Sequence, residues 1–133
     1  MTTAFQPGSR NALFQVAEEK YSASVVSDAQ GSRVQFRGTI STPNPAVVIN
    51  PFVDAIHDEL VKAGAKEVQV DFRELEFCNS SGFKSFIHWI RKIQELPEAQ
   101  RYGLRFLSNP ARKWQRTSLL ALSCYGVSSV TIQ

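Results

Sequence analysis

One run of the sequence, residues 68–93 (VQVDFRELEFCNSSGFKSFIHWIRKI), constrains the fold of this chain more than any other. Val68, Gln69, Val70, Asp71 and Phe72 read as a buried strand, rich in β-branched and aromatic residues. A short polar turn follows. Phe83, Phe86, Ile87 and Ile90 then recur at i, i+3, i+4 and i+7, the stripe of an amphipathic helix. Asn79, Ser80 and Ser81 stand where that helix begins. Side chains there sit beside backbone N–H groups without intrahelical partners, at the positive end of the macrodipole. A phosphate carried on a serine is favoured at such a place, so the turn is a candidate switch. The plainer reading is structural: Ser and Asn are good caps, worth about 1 kcal/mol over alanine. Gly82 then lets the helix backbone pack closely on the strand.

The rest of the chain repeats the alternation of strand and helix. Residues 20–27 alternate weakly through Tyr21, Ala23 and Val25 and fit a strand; Asp28 to Ser32 forms a turn around Gly31. Val34, Phe36 and Gly38 carry a second strand to about Ile40, and Pro43 and Pro45 make residues 41–46 a loop. Asn50 as N-cap and Pro51 as first helical residue open a long helix with Val53, Ile56 and Leu60 inward and Gly64 as its stop. The third strand is 68–72 and the second helix runs from 81 to about 94. Pro97 ends that region, 104–107 is a fourth strand, a third helix covers 111–124, and 127–132 fits a fifth strand. The expected fold is α/β, a mixed, mostly parallel sheet of four to five strands with helices packed against it. Residues 1–19 form an N-terminal extension, an extra strand or packed arm through Leu13, Phe14 and Val16. Residues 20–133 form the domain.

Length and composition bound the function. A chain of 133 residues with 43% hydrophobic and 20% charged residues has room for one core. No run is long enough to span a bilayer, and the start lacks the basic and apolar regions of a signal peptide. A cytoplasmic protein is the expectation, with no membrane contact. Cys78 and Cys124 fit no metal spacing and are expected as reduced, mostly buried thiols. The net charge is +3 and the pI about 9.1. The basic residues between Lys84 and Arg116 fall on several elements without a recognition helix or an aromatic-basic strand, so direct nucleic-acid binding is not expected. A solvated face, or one turned to an acidic protein partner, explains them.

Catalytic readings find little support in the residues. A cysteine nucleophile needs a histidine within hydrogen-bond reach, and only His57 and His88 are available. His88 lies two turns along the helix from Ser80, and His57 is expected at the surface or half-buried. Asn-Ser-Ser-Gly is not a Gly-x-Ser-x-Gly elbow, and no phosphate-cradling Gly-rich loop or paired-His metal motif occurs. The expectation is a protein that is not an enzyme and carries no cofactor or metal; the weakest remaining reading is a hydrolase using Cys78 or Ser81.

Asp71, Leu75, Phe77, Asn79, Ser80, Ser81, Gly82 and Phe83 together resemble the signature of the STAS domain family, the fold of bacterial anti-sigma factor antagonists. In that family a strand ending in Asp leads through a Leu-x-Phe turn into Asp-Ser-Ser/Thr-Gly at a helix start. Asn79 stands where the family usually has Asp. Leu104 to Leu107 followed by Ser108, Asn109 and Pro110 resembles the family's fourth strand and next helix start. Leu119, Leu122, Gly126 and Val127 resemble the end of that helix. The resemblance covers roughly residues 33–132. It implies a non-catalytic regulator that switches partners through phosphorylation of a serine, here Ser80 by position and Ser81 as second choice. The implied partners are an anti-sigma factor or a serine kinase of the histidine-kinase-like ATPase type, and a phosphatase; the chain itself is monomer or homodimer. The alternative is a scaffold or ligand-sensing module of the same family that works without phosphorylation. The expected partner-binding residues are Asn79, Ser80, Lys84, His88 and Trp89, flanked by the 41–44 loop.

Overall fold

Alternation of apolar and polar residues along successive strands gives one sheet with two unlike faces. The structure is a computed structural model that describes residues 14–29 and 31–133. The elements in chain order are β1 (Gln15–Ala17), β2 (Tyr21–Asp28), β3 (Gly31–Ile40), α1 (Ala46–Ala63), β4 (Glu67–Cys78), α2 (Ser80–Gln94), β5 (Gly103–Leu107), α3 (Lys113–Ser123) and β6 (Val130–Ile132). A short 3-10 turn, Glu98–Gln100, follows Pro97. The strands lie in the order β1-β2-β3-β4-β5-β6. The β1–β2 and β2–β3 pairs are antiparallel, and the three pairs from β3 to β6 are parallel.

Each parallel step needs a crossover, and α1, α2 and α3 supply them. Strands stepping one way across a sheet through right-handed crossovers put their helices on one face, where α1 packs on α2 and α2 on α3. The core lies between this layer and the sheet. Phe36 of β3, Phe72 of β4, Phe106 of β5, Phe52 of α1 and Phe86 of α2 are its aromatic centre, with rings 5.1–6.3 Å apart and edge to face. Such pairs add about 0.5–1.5 kcal/mol each beyond their area burial. Arg33, Gln35, Gln69, Asp71 and Arg105 alternate with core residues and so belong to the other, polar face. There Asp71 is 1% exposed and receives hydrogen bonds from Arg33 Nε (3.1 Å), Arg73 Nε (2.9 Å) and Arg73 Nη2 (2.9 Å). Burial pushes its carboxyl up, but the Arg73 and Arg33 contacts outweigh that and leave it below the usual range.

Four expectations are corrected. Among the described residues the sheet has six strands, because Val16 is buried and 15–17 pair with 22–24 of β2; Leu13 lies outside the described residues. Residues 73–78 are not a turn but the continuation of β4. Register shifts against β3 between Gln35 and Arg37 and between Gly38 and Thr39 place Phe72, Leu75 and Cys78 inward at intervals of three. The first helix begins at Ala46, not at Pro51. Its inward stripe starts with Ile49, Phe52 and Val53, and the amides of Val48 and Ile49 bond to the Pro45 carbonyl. Pro51 therefore falls inside the helix on its exposed side, where water can take the carbonyl it leaves free. Asn50 is no cap, and its Oδ1 has no hydrogen-bond partner among the described residues. Gly64 ends the helix in the left-handed conformation (φ 66°), as its sequence position implies. Last, Cys124 is exposed; only Cys78 is a buried thiol, and both are free.

Candidate functional site

At the carboxyl end of β4 the chain turns into α2 through Asn79. Asn79 N donates to the Ile40 carbonyl (2.9 Å), which carries the β3–β4 pairing to the last residue before the helix. Its Oδ1 accepts from Gly82 N (2.7 Å), the expected cap. Its Nδ2 donates to the Thr42 carbonyl (2.9 Å), which ties the 41–44 loop to the helix start. An aspartate has no N–H to offer that carbonyl, so the amide at this position follows from the loop it holds. A Cβ on Gly82 would lie 2.6 Å from Cys78 Sγ and 2.9 Å from Ile40 Cγ2; glycine is the residue that lets α2 start this close to the sheet.

Ser80 is the first residue of α2 and is exposed, while Ser81 is half-buried. With Asn79 holding the Gly82 amide, the N–H groups of the first turn stand beside the Ser80 hydroxyl at the positive end of a helix of 15 residues that contains no acidic residue. Ser80 also lines the end of a groove between α2 and α3, of about 330 Å³. Phe83 and Ile87 of α2, and Leu122 and Tyr125 at the end of α3, give it an apolar lining, with Lys84 at its side. Beside it, Phe83 and the 47% exposed Phe77 both contact the Trp114 ring, at 6.3 and 6.4 Å.

The other expected surface residues divide. Lys84 is exposed on the same side as Ser80. His88 turns to α1 instead: its Nε2–H donates to Asp54 Oδ1 (2.7 Å), and Lys92 Nζ lies 3.3 Å from the same oxygen. Burial pushes the Asp54 carboxyl up, but the bond from His88 and the charge of Lys92 outweigh it and leave it low. Trp89 is fully buried and so offers nothing to a partner. Its Nε1–H donates to Tyr102 Oη (2.8 Å), and that oxygen is 2.6 Å from His57 Nδ1. Tyr102 Oη links the Trp89 and His57 rings, and the His57 tautomer decides whether Tyr102 or His57 donates in the second bond. His57 is thus a core residue (5% exposed), not a surface one, and burial holds its pKa below the ordinary histidine value.

The thiol of Cys78 is buried, and burial pushes its pKa up to about 12, so it stays protonated and a poor nucleophile near neutrality. Neither histidine accompanies it: His57 bonds Tyr102 and His88 bonds Asp54. Among the described residues no group of acids, histidines and cysteines is arranged to hold a metal ion, and no helix is long and apolar enough to cross a membrane.

Sequence reasoning missed Gln115, which is fully buried in α3. Its Nε2 donates to the carbonyls of Phe72 (2.6 Å) and Leu75 (2.9 Å), and its Oε1 accepts from Asn109 N (2.8 Å). These are backbone groups around the irregular stretch of β4, and nothing in a lone glutamine on a helix announces that role. The groove was missed too, because its two walls come from segments far apart in sequence. In comparisons with protein-family models, curated proteins and solved structures, none matches this chain.

Proposed function

We propose that the chain is an STAS-like, non-catalytic regulator of the anti-sigma factor antagonist type, which switches partners through phosphorylation of Ser80. The observation that carries the reading is the placement of Ser80: exposed, first in α2, beside the Asn79 cap and at the end of an apolar groove. The local likeness of Asp71, Leu75, Phe77 and the Asn-Ser-Ser-Gly turn to that family's signature supports it.

In the unmodified chain, Asn79, Ser80, Lys84 and the 41–44 loop dock an anti-sigma factor or a serine kinase of the histidine-kinase-like ATPase type. A phosphoryl group on Ser80 adds about −1.5 to −2 charges at the centre of that contact. The helix start stabilises the charge within this chain, so the fold tolerates it. A partner surface without an opposing cation does not: burying an unpaired phosphate costs several kcal/mol, orders of magnitude in affinity. A phosphatase resets the cycle. The partner captured by the wild type is to be titrated against Ser80→Ala and Ser80→Asp. Ser80→Ala binds as the wild type does and resists the kinase; Ser80→Asp folds and loses the partner. Equal binding by the two variants contradicts the mechanism.

One observation favours a second reading. Asn79 replaces the family's acid, and both ends of its amide are spent on Gly82 and Thr42. A kinase that reads that acid finds none here, which suits a scaffold or ligand-sensing module that works without phosphorylation. Partner binding with no label on either serine decides for it.

A further inference from the structure

Acidic residues are absent from the whole of α2 and from every position after Glu98. Both walls of the α2–α3 groove are therefore free of negative charge. Lys84 lines the groove, and Arg91 lies two turns further on the same stripe of α2 as Lys84 and Ile87. On α3, Lys113 is exposed but lies off the stripe of Ser118, Ala121 and Tyr125 that lines the groove. Arg116 adds a further exposed cation on that helix. The acids that offset them are elsewhere: Glu18, Glu19, Glu74 and Glu76 surround a separate polar cleft next to β2 and β3. The groove joins an apolar floor to a cationic α2 side, where Lys84 lines it and Arg91 continues the stripe, and neither wall carries an acid; it runs between two helices for the length over which Phe83 and Ile87 are one turn apart.

We infer that this groove seats an acidic amphipathic helix of a partner protein, with two large apolar side chains one turn apart in the cleft and carboxylates against Lys84 and Arg91. Helix-in-groove docking requires an apolar channel wide enough for i and i+3 or i+4 anchors, and complementary charge gives such a contact its selectivity and rate. The lining argues against a lipid surface, since Leu122 is 2% exposed and the apolar residues form a hollow instead of a protruding ridge. A second copy is also disfavoured. Its acidic cleft and this groove are unlike faces, and a head-to-tail contact between unlike faces closes only if its rotation happens to make a ring. The inference deepens the partner-docking reading and rests on it for the role of Ser80 alone.

The test is selection of displayed random 16-residue peptides on the immobilised, unphosphorylated full chain, followed by titration of the enriched peptides. Enriched sequences are expected to carry net negative charge and two large apolar residues three or four positions apart. Their affinity is expected to fall with added salt. Ala121→Arg, an exposed α3 position that fills the groove, should weaken binding tenfold or more. Lys84→Glu with Arg91→Glu should weaken it about tenfold. Arg37→Glu, a like charge change on the polar face of the sheet, should leave it unchanged. Enrichment of neutral or basic peptides, or indifference to Ala121→Arg, overturns the inference. So does self-association that Ala121→Arg abolishes in sedimentation, or cosedimentation with phosphatidylglycerol-containing vesicles without peptide enrichment. Because the chain used is unphosphorylated, failure here leaves labelling of Ser80 to be judged separately.

Discussion

At the scale of single residues, two side chains carry distinct demands. Asn79 uses its carbonyl for the helix cap and its amide for the 41–44 loop. Asp caps as well as Asn, so Asn79→Asp isolates the second contact: it sets a carboxylate against the Thr42 carbonyl. A loss of about 1 kcal/mol in urea unfolding is expected, of the order of one hydrogen bond; an unchanged or raised midpoint would show that the loop tie contributes nothing. His57 gives a prediction in pH. Burial lowers its folded pKa below the unfolded value near 6.5, so the unfolded chain binds the proton first. The contribution is fully present above about pH 6.5 and is lost as pH falls from there toward the folded value. His57→Gln keeps a group able to donate to or accept from the Tyr102 hydroxyl but does not titrate. Unfolding free energy measured between pH 7 and 5 should fall less steeply in that variant; parallel curves would deny His57 the role.

Elements were legible where their apolar pattern was regular and hidden where backbone geometry broke the period. The stripe from Phe83 to Ile90 marked α2 because four apolar positions fell on one face, and Gly64 marked the end of α1. The far half of β4 escaped because its register shifts turn Phe72, Leu75 and Cys78 inward at intervals of three, which no alternation reveals. Pro51 drew the start of α1 too late, since proline is favoured in a first turn but is also tolerated on an exposed helix side. Of the candidate site, the Ser80 position and its cap could be read from Asn-Ser-Ser-Gly; the α3 wall and the inward turn of Trp89 could not, being set by packing across elements. Gln115 tests the β4–α3 junction. Gln115→Leu leaves the Phe72 and Leu75 carbonyls and the Asn109 amide without their partner, at a cost of about 2–3 kcal/mol. Amide hydrogen exchange should quicken first in β4 beyond Phe72 and in α3, and uniform quickening across the sheet would contradict a local clamp.

Across the whole molecule, charge and function separate. Most of the acids lie on the sheet and α1; α2 and α3 carry basic residues and no acid, and Ser80 lies at the end of the groove those two helices form. A phosphate there would change the sign of one end of a positive surface while sparing the core, whose aromatic centre is built from Phe36, Phe52, Phe72, Phe86 and Phe106. Under the proposed mechanism, that separation would let a single modification act on binding without unfolding the domain. The most direct measurement is phosphopeptide mapping of the chain isolated, under phosphatase inhibition, from the cells that make it. Wild type, Ser80→Ala and Ser81→Ala are compared. One phosphate is expected on Ser80, absent from Ser80→Ala and retained in Ser81→Ala. Phosphate on Ser81, or on neither serine, would contradict it.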